Sequence, residues 1–375
     1  MGSKPTYKVA LVSCAMHQPQ QYAPTFANHP RTEVVCVADD PSEIDDYVVE
    51  TNRSEADLYG VPYIESIDAV ANDPSIDIVS VCPQLERRGG LSARLADAGK
   101  HLFMDKPNAI TVAEARAIAD AARRRNVRTV IYGRHMSTMM RRIKRELDGG
   151  SIGDLKTIHW DLIFAKGQAG TVPDDWTTAI SQDLSRFTYR AENADPSGSG
   201  HDVWAKRELH EIGLYPVGQV QYLARSPVRE VYAQLGQYWL GSHAERGLED
   251  FAIMHMTFEN GVTSTITTGR YGRTTDPGSG VDKVSVVGTK GSIVADGSPP
   301  TATAYGVPGD DGKGATRVDA MDSGGIEALI DQFITCIDDG SETINNADSG
   351  VAQVETLLAG YASYFSGQPV TLPLD

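Results

Sequence analysis

From its start to Gly133 the chain alternates short apolar runs, rich in β-branched residues, with segments of helical periodicity. No other feature restricts its fold as much. The runs are KVALVSC, TEVVCVAD, IDIVSVC, KHLFMD and RTVIYG. Between them lie segments such as VAEARAIADAARRRN, whose apolar residues recur at helical spacing and whose basic end suits a helix C-terminus. Runs that are apolar throughout read as strands covered on both faces, and strands separated by helices need crossover connections. Residues 1–133 are therefore predicted to form an α/β domain built on a doubly wound parallel sheet.

Beyond Gly133 the pattern changes. A basic helix, MMRRIKRELDGG, leads into the strand-like LKTIHWDLIF, and a stretch from Lys166 to Lys206 then shows little periodicity. Long irregular loops in a compact domain are usually functional. From Val228 to Val294 strand follows strand, with turn chemistry at Glu259-Asn260-Gly261 and Gly288-Thr289-Lys290-Gly291, so hairpins are predicted. The Gly-, Pro- and Asp-rich segment from Gly297 to Gly325 reads as a surface excursion, and two helices, IEALIDQFITCIDDG and SGVAQVETLLAGYASYFSG, follow it. Residues 134–375 are predicted to form an α+β domain, a mainly antiparallel open sheet with helices on one face. A length of 375 residues suits two such domains.

Fifty acidic against 34 basic residues leave a net charge of −16, which argues against a nucleic-acid or anionic-membrane partner. No run of about 18 apolar residues occurs, so no membrane span is predicted. The apolar stretch Val9 to Ala15 is strand-sized and is read as structure, not as a signal peptide. Cys14, Cys36, Cys82 and Cys336 are scattered and fit buried free thiols of a reducing compartment. A cytoplasmic protein is expected.

In a doubly wound sheet a dinucleotide sits where the first strand enters its helix. The expected glycine-rich fingerprint is absent there; the chain reads Ser13-Cys14-Ala15-Met16-His17-Gln18. Ser13 and Ala15 are small enough for close backbone approach, and Met16 and His17 complete the candidate cofactor loop. Asp39, in the pair Asp39-Asp40, stands just over 20 residues beyond the loop, where an acid binds the ribose hydroxyls of NAD. No arginine follows directly, so NAD is favoured over NADP.

The segment Gly99-Lys100-His101-Leu102-Phe103-Met104-Asp105-Lys106-Pro107 resembles the "AGKHVLVEKP" segment of the glucose–fructose oxidoreductase, inositol dehydrogenase and rhizopine-catabolism oxidoreductase family. ELHEIGLYPVGQVQYL resembles that family's "LLDLGVYPVDLVRYL" helix. DFAIMHMTFENG, VSVVGTKGSIVA and the terminal SGQPVTLP are similar to further family strands. The sequence departs from the family at several points. Asp105 replaces the usual Glu, Pro83-Gln84-Leu85 stands for a Thr-Pro-Asn turn, Arg88 for a His, Glu211 for an Asp and Gly218 for a polar residue.

The resemblance implies a Rossmann domain followed by a substrate-binding and oligomerisation domain, and a homodimer or homotetramer. It implies NAD-dependent oxidation of a sugar, sugar derivative or cyclitol. Lys106 would contact the reacting hydroxyl and Tyr215 would handle its proton. Glu211, four residues earlier, shares a helix face with Tyr215 if the stretch is helical. Cys82, Pro83, Asp105 and Lys106 would join the cofactor site. Free tyrosine titrates near 10, so the phenolate needs a nearby cation, which Lys106 could supply. Arg88, His135, Trp176, His201 and Trp204 are candidate substrate contacts. His210 beside Glu211 does not make a metal site, because adjacent helical residues diverge and no third ligand stands at a telling spacing. Two other readings of the residues stay open. One is an NAD-assisted lyase or glycosidase with transient oxidation and no net redox; the other is a sugar sensor that has lost its cofactor.

Overall fold

In the computed structural model, which describes residues 5–15, 17–164, 207–238, 247–270, 281–297, 300–306, 315–318 and 325–374, the early apolar runs become strands. They are β1 (Tyr7–Val12), β2 (Thr32–Ala38), β4 (Ile78–Val81), β5 (His101–Met104) and β6 (Thr129–Ile131), and the two-residue β3 (Tyr63–Ile64) adds an edge. Every pairing is parallel and the order is β3-β2-β1-β4-β5-β6, with the switch point between β1 and β4. Val9 through Val12 are fully buried, as strands covered on both faces require.

A π-helical turn (Gln18–Tyr22) and α1 (Ala23–Asn28) follow β1. The other helices here are α2 (Asp46–Tyr59), α3 (Ile67–Asn72), α4 (Leu85–Asp97) and α5 (Val112–Arg125). The ends of α5 follow from its sequence. The Thr111 side chain accepts the Glu114 N–H at 3.1 Å, and Asn126 closes the helix in the left-handed conformation behind three arginines.

The chain divides into two units, Met1–Gly133 with Gly325–Val351, and Arg134–Gly324 with Ala352–Asp375. Residues 325–351 thus fold with the first unit, whereas the expected boundary assigned them to the second. Helix α9 (Ile326–Asp339) carries Leu329, Ile330, Phe333 and Ile334 along one stripe, which must be covered. Phe333 meets Phe103 of β5 edge-on at 6.4 Å, and Asp338 pairs with Arg31 at 2.6 Å. Beyond the helix, the Ile131 N–H donates to the Asn345 carbonyl at 2.8 Å.

The second unit contains α6 (Thr138–Asp148), β7 (Leu155–Phe164), α7 (Arg207–Glu211), α8 (Leu214–Ala224), β8 (Val228–Gly236), β9 (Phe251–Phe258) and β10 (Thr263–Arg270). It continues with β11 (Val281–Gly288), β12 (Gly291–Gly297), β13 (Pro300–Gly306), β14 (Ala315–Val318), most of α10 (Ala347–Ser366) and β15 (Val370–Thr371). Among the described residues the sheet runs β14-β13-β12-β11-β7-β10-β9-β8-β15, and there only β7 and β10 pair in parallel. Both expected hairpins form, and Gly261 takes φ 83° in the turn between β9 and β10.

Strands β13 and β14 lie where a surface excursion was expected. The alternating PTATAYG and ATRV segments extend the edge of the sheet, a pairing that the Gly and Pro around them concealed. On β8 and β9 Val231, Ala233, Met254 and Met256 point to the buried face, while Tyr232, Ile253 and His255 are exposed on the other. A Cβ added at Gly360 of α10 would lie 3.0 Å from Met254 Sδ and Leu209 Cδ2, so those side chains would have to give way. All four cysteines are free and buried. Among the described residues no helix is long and apolar enough to cross a membrane.

Candidate active site

The loop after β1 keeps the shape of a glycine turn without the glycine. Ser13 has φ 63°, is fully buried, and donates its N–H to the Ala38 carbonyl at 3.0 Å. The left-handed region is costly for a residue with a Cβ, which is why this position usually carries glycine. Its Oγ and the Nε2 of buried Gln18 have no hydrogen-bond partner among the described residues. Gln18 Oε1 accepts from Ser80 at 2.8 Å, and the Cys14 N–H donates to Asn52 at 2.7 Å. Ala15 is partly exposed, and Met16 lies outside the described residues.

Asp39 closes β2 with its carboxylate fully buried. It accepts from Asn52 at 3.3 Å and from Arg87 of α4 at 2.8 Å, and Arg87 also reaches Glu43 at 3.2 Å. No arginine follows Asp39 directly in the sequence, but tertiary structure brings Arg87 to it from 48 positions away.

Asp105 is the hub of the first unit. Its carboxylate accepts from Tyr22 Oη at 2.5 Å, Arg88 Nη2 at 2.8 Å, the Lys106 N–H at 2.8 Å and the Cys82 thiol at 3.4 Å, and His17 Nδ1 lies 3.1 Å away. Burial pushes its pKa up, but Arg88, then His17 and Lys106, more than offset this and hold the carboxyl well below the usual range. The Cys82 thiol is pushed well above its ordinary value, first by burial and then by the Asp105 charge.

Arg88, a candidate substrate contact, is instead enclosed and spent on the backbone. It donates to the carbonyls of Lys106 at 2.6 Å, Pro107 at 2.8 Å and Pro83 at 3.0 Å as well as to Asp105. It fixes the turn that carries Lys106, which is itself buried. Hence Ser13, His17, Cys82, Pro83, Asp105 and Lys106 gather at the carboxyl ends of β1, β4 and β5. The residues fit a dinucleotide: a left-handed turn at the switch point, two orphaned buried polar groups beside it, and an acid at the end of β2.

In the second unit α7 ends at Glu211, and α8 begins at Leu214 after a turn through Ile212 and Gly213. A Cβ at Gly213 would meet the Leu209 carbonyl at 2.3 Å, so glycine is required there. Tyr215, in the first turn of α8, is nearly buried, and the Arg134 guanidinium lies over its ring at 5.2 Å. Glu211 is partly exposed. Gly218, where the family carries a polar residue, leaves room for the Gln353 amide, which a Cβ would meet at 2.8 Å.

His135, expected at substrate, is buried and packs edge-on against Tyr222 at 5.7 Å. Burial lowers its pKa to about 4, so it is neutral at pH 7. The His210 N–H donates to Tyr361 Oη at 3.1 Å in a buried cluster with Glu208 and Glu249. Trp176, His201 and Trp204 lie outside the described residues. Sequence reasoning missed Arg87, Arg134, Asp282 and Glu249, whose partners are distant in the chain and which no motif marks.

Residues 7–133 match the oxidoreductase family with NAD-binding Rossmann fold, and residues 140–294 match the GFO/IDH/MocA C-terminal domain. The chain is 27% identical to the uncharacterized oxidoreductase YrbE of Bacillus subtilis over 69% of its own length and 67% of that protein. It is 24% identical to dTDP-3,4-didehydro-2,6-dideoxy-alpha-D-glucose 3-reductase of Streptomyces violaceoruber, over 59% of this chain and 56% of that one. Among solved structures, aldose-aldose oxidoreductase from Caulobacter crescentus aligns over 98% of this chain and 100% of its own, with a TM-score of 0.74 at 20% identity. Levoglucosan dehydrogenase, in complex with NADH and levoglucosan, aligns over the same shares with a TM-score of 0.77 at 16% identity. These two likenesses show the fold. The chain belongs to the GFO/IDH/MocA oxidoreductase family, and its first unit is an NAD-binding Rossmann domain.

Proposed function

We propose that this chain oxidises a secondary hydroxyl of a sugar, sugar derivative or cyclitol, with NAD preferred to NADP. The observation that carries the reading is the Asp105 hub. It joins His17 of the candidate dinucleotide loop to the turn bearing Lys106, and Arg88 locks that turn from behind. Support for the substrate class comes from relatives, since the Streptomyces protein is a sugar-nucleotide 3-reductase and the levoglucosan dehydrogenase was solved with its sugar.

Ser13, Ala15, His17, Asp39, Cys82 and Pro83 would hold the dinucleotide, with the Asp39 carboxylate toward the ribose hydroxyls. Bound NAD supplies a hydride acceptor. The Lys106 ammonium donates to the reacting hydroxyl and favours the alkoxide as the proton leaves. Tyr215, as its phenolate, accepts that proton, and Glu211 orients the ring or passes the proton on. The exposed sheet face, with Tyr232, Ile253 and Val294 outward, supports a homodimer or homotetramer. The four buried free thiols support a reducing, cytoplasmic setting.

Calorimetric titration with NAD and with NADP, followed by a sugar and polyol panel read by NADH absorbance, tests the proposal. Micromolar NAD binding and net NADH formation on a sugar are expected. No binding of either nucleotide sinks the enzyme reading, and sugar turnover without net NADH sinks the dehydrogenase.

A further inference from the structure

Asp282 is an anomaly on the covered face of the second sheet. It shares that face of β11 with buried Val284 and Val286, and it pairs in register with buried Leu162 of β7. A carboxylate in such a place is costly unless it is paired and hydrogen-bonded. Both conditions are met within the unit. The indole N–H of Trp160, itself on β7, donates to Asp282 Oδ1 at 2.9 Å, and Arg134 Nη1 lies 3.0 Å from Oδ2. Gly297 of β12 keeps the space open, since a Cβ there would fall 2.3 Å from Oδ2.

This arrangement fixes one guanidinium. Anchored on Asp282, the Arg134 guanidinium lies over two aromatic rings, 5.7 Å from the Phe164 centroid and 5.2 Å from that of Tyr215. Arginine keeps its charge at every working pH, and its plane suits stacking on a ring. The cation that the phenolate of Tyr215 needs is therefore present within the second unit itself, whereas Lys106 belongs to the first. A rigid positive charge on the ring face favours the anion over the neutral phenol.

We propose that Arg134, anchored by Asp282 and Trp160, is a positioning residue that holds the Tyr215 ring and favours its phenolate. The inference rests on the reading of Tyr215 as the group that takes the substrate proton. The Asp282 carboxylate offsets part of the guanidinium charge, so the ring faces the positive end of an ion pair and not a free cation.

The test uses the full chain and the near-ultraviolet phenolate titration, with Tyr215 isolated as the difference between wild type and Tyr215→Phe. Arg134→Met is expected to move the Tyr215 midpoint up by about one unit. It should lower turnover near neutral pH with little change in the sugar KM, and activity should recover as the pH is raised. A purely structural role predicts no such alkaline rescue. Because Arg134→Met leaves Asp282 buried without its cation, Arg134→Met/Asp282→Asn is compared in parallel; it strands no charge and keeps an acceptor for Trp160. An upward midpoint in the double variant supports the inference, and an unchanged midpoint there overturns it. Full activity in Tyr215→Phe would instead remove the catalytic reading while leaving the titration to decide what Arg134 does to the ring.

Discussion

Arg88 and Asp105 form an ion pair of 2.8 Å in which both side chains are sealed, 1% and 0% exposed. The pair is built into the turn that presents Lys106, because the same guanidinium holds three carbonyls around it. Removing one partner of such a pair leaves a buried charge without its counterion. Arg88→Ala is expected to destabilise the first unit by about 3–5 kcal/mol, read from the denaturant midpoint. Since the Asp105 pKa is depressed, the stability this group contributes is complete above its ordinary value of 3.8 and drains only as the pH falls below it. A loss no larger than that of an exposed arginine would show that the pair does not hold the turn.

Lys106 stands at the centre of the proposed chemistry. Lys106→Ala is expected to lower sugar turnover by about 10²–10⁴-fold, while calorimetric affinity for NAD stays nearly unchanged. Wild-type-like turnover in that variant refutes the site assignment.

Asp39 is already engaged by Arg87, so a ribose bound there as proposed would share the carboxylate with a guanidinium. Asp39→Ala is expected to weaken NAD about tenfold or more, a cost of about 1.4 kcal/mol, and to leave the sugar KM unaffected. With the acid gone, Arg87 keeps Glu43 as its acidic partner and is freer to meet a 2′-phosphate, so the preference for NAD over NADP should narrow. Equal NAD affinity in wild type and variant discards the ribose-binding role of Asp39.

Glu249 titrates far from its usual range. Burial raises its pKa from 4.5 to about 8, against hydrogen bonds from the Leu209 N–H at 2.9 Å and Tyr361 Oη at 2.8 Å, and the Glu208 charge adds to the rise. The unfolded chain releases this proton near pH 4.5 while the folded chain keeps it to about 8. Stability from this group is therefore complete below 4.5 and is lost as the pH rises through 8. Glu249→Gln keeps an acceptor and removes the ionisation. It should raise stability at pH 8 by on the order of a few kcal/mol and flatten the decline across that window. Thermal melts across the pH range decide this, and an unaltered slope in the variant counts against the assignment.

Local chemistry made much of the protein legible in its sequence. Apolar runs broken by helical segments determined the parallel sheet, because a strand buried on both faces has no polar alternation to show. Thr111 and Asn126 marked the ends of α5, and Asn260-Gly261 marked a hairpin, because caps and turns depend on neighbouring residues. The Lys106 segment and the Glu211–Tyr215 segment pointed to family and chemistry through contiguous motifs. Tertiary structure alone decided what those motifs rest on. Arg88 turned from a substrate contact into the clamp on Lys106, and Arg87 met Asp39 across 48 positions. Arg134 met Asp282 across 148 positions, and α9 returned to cover the first sheet. Such contacts leave no periodicity or spacing to read. A buried charge is tolerated only where the fold delivers its partner, and that delivery depends on how strands and helices close on one another.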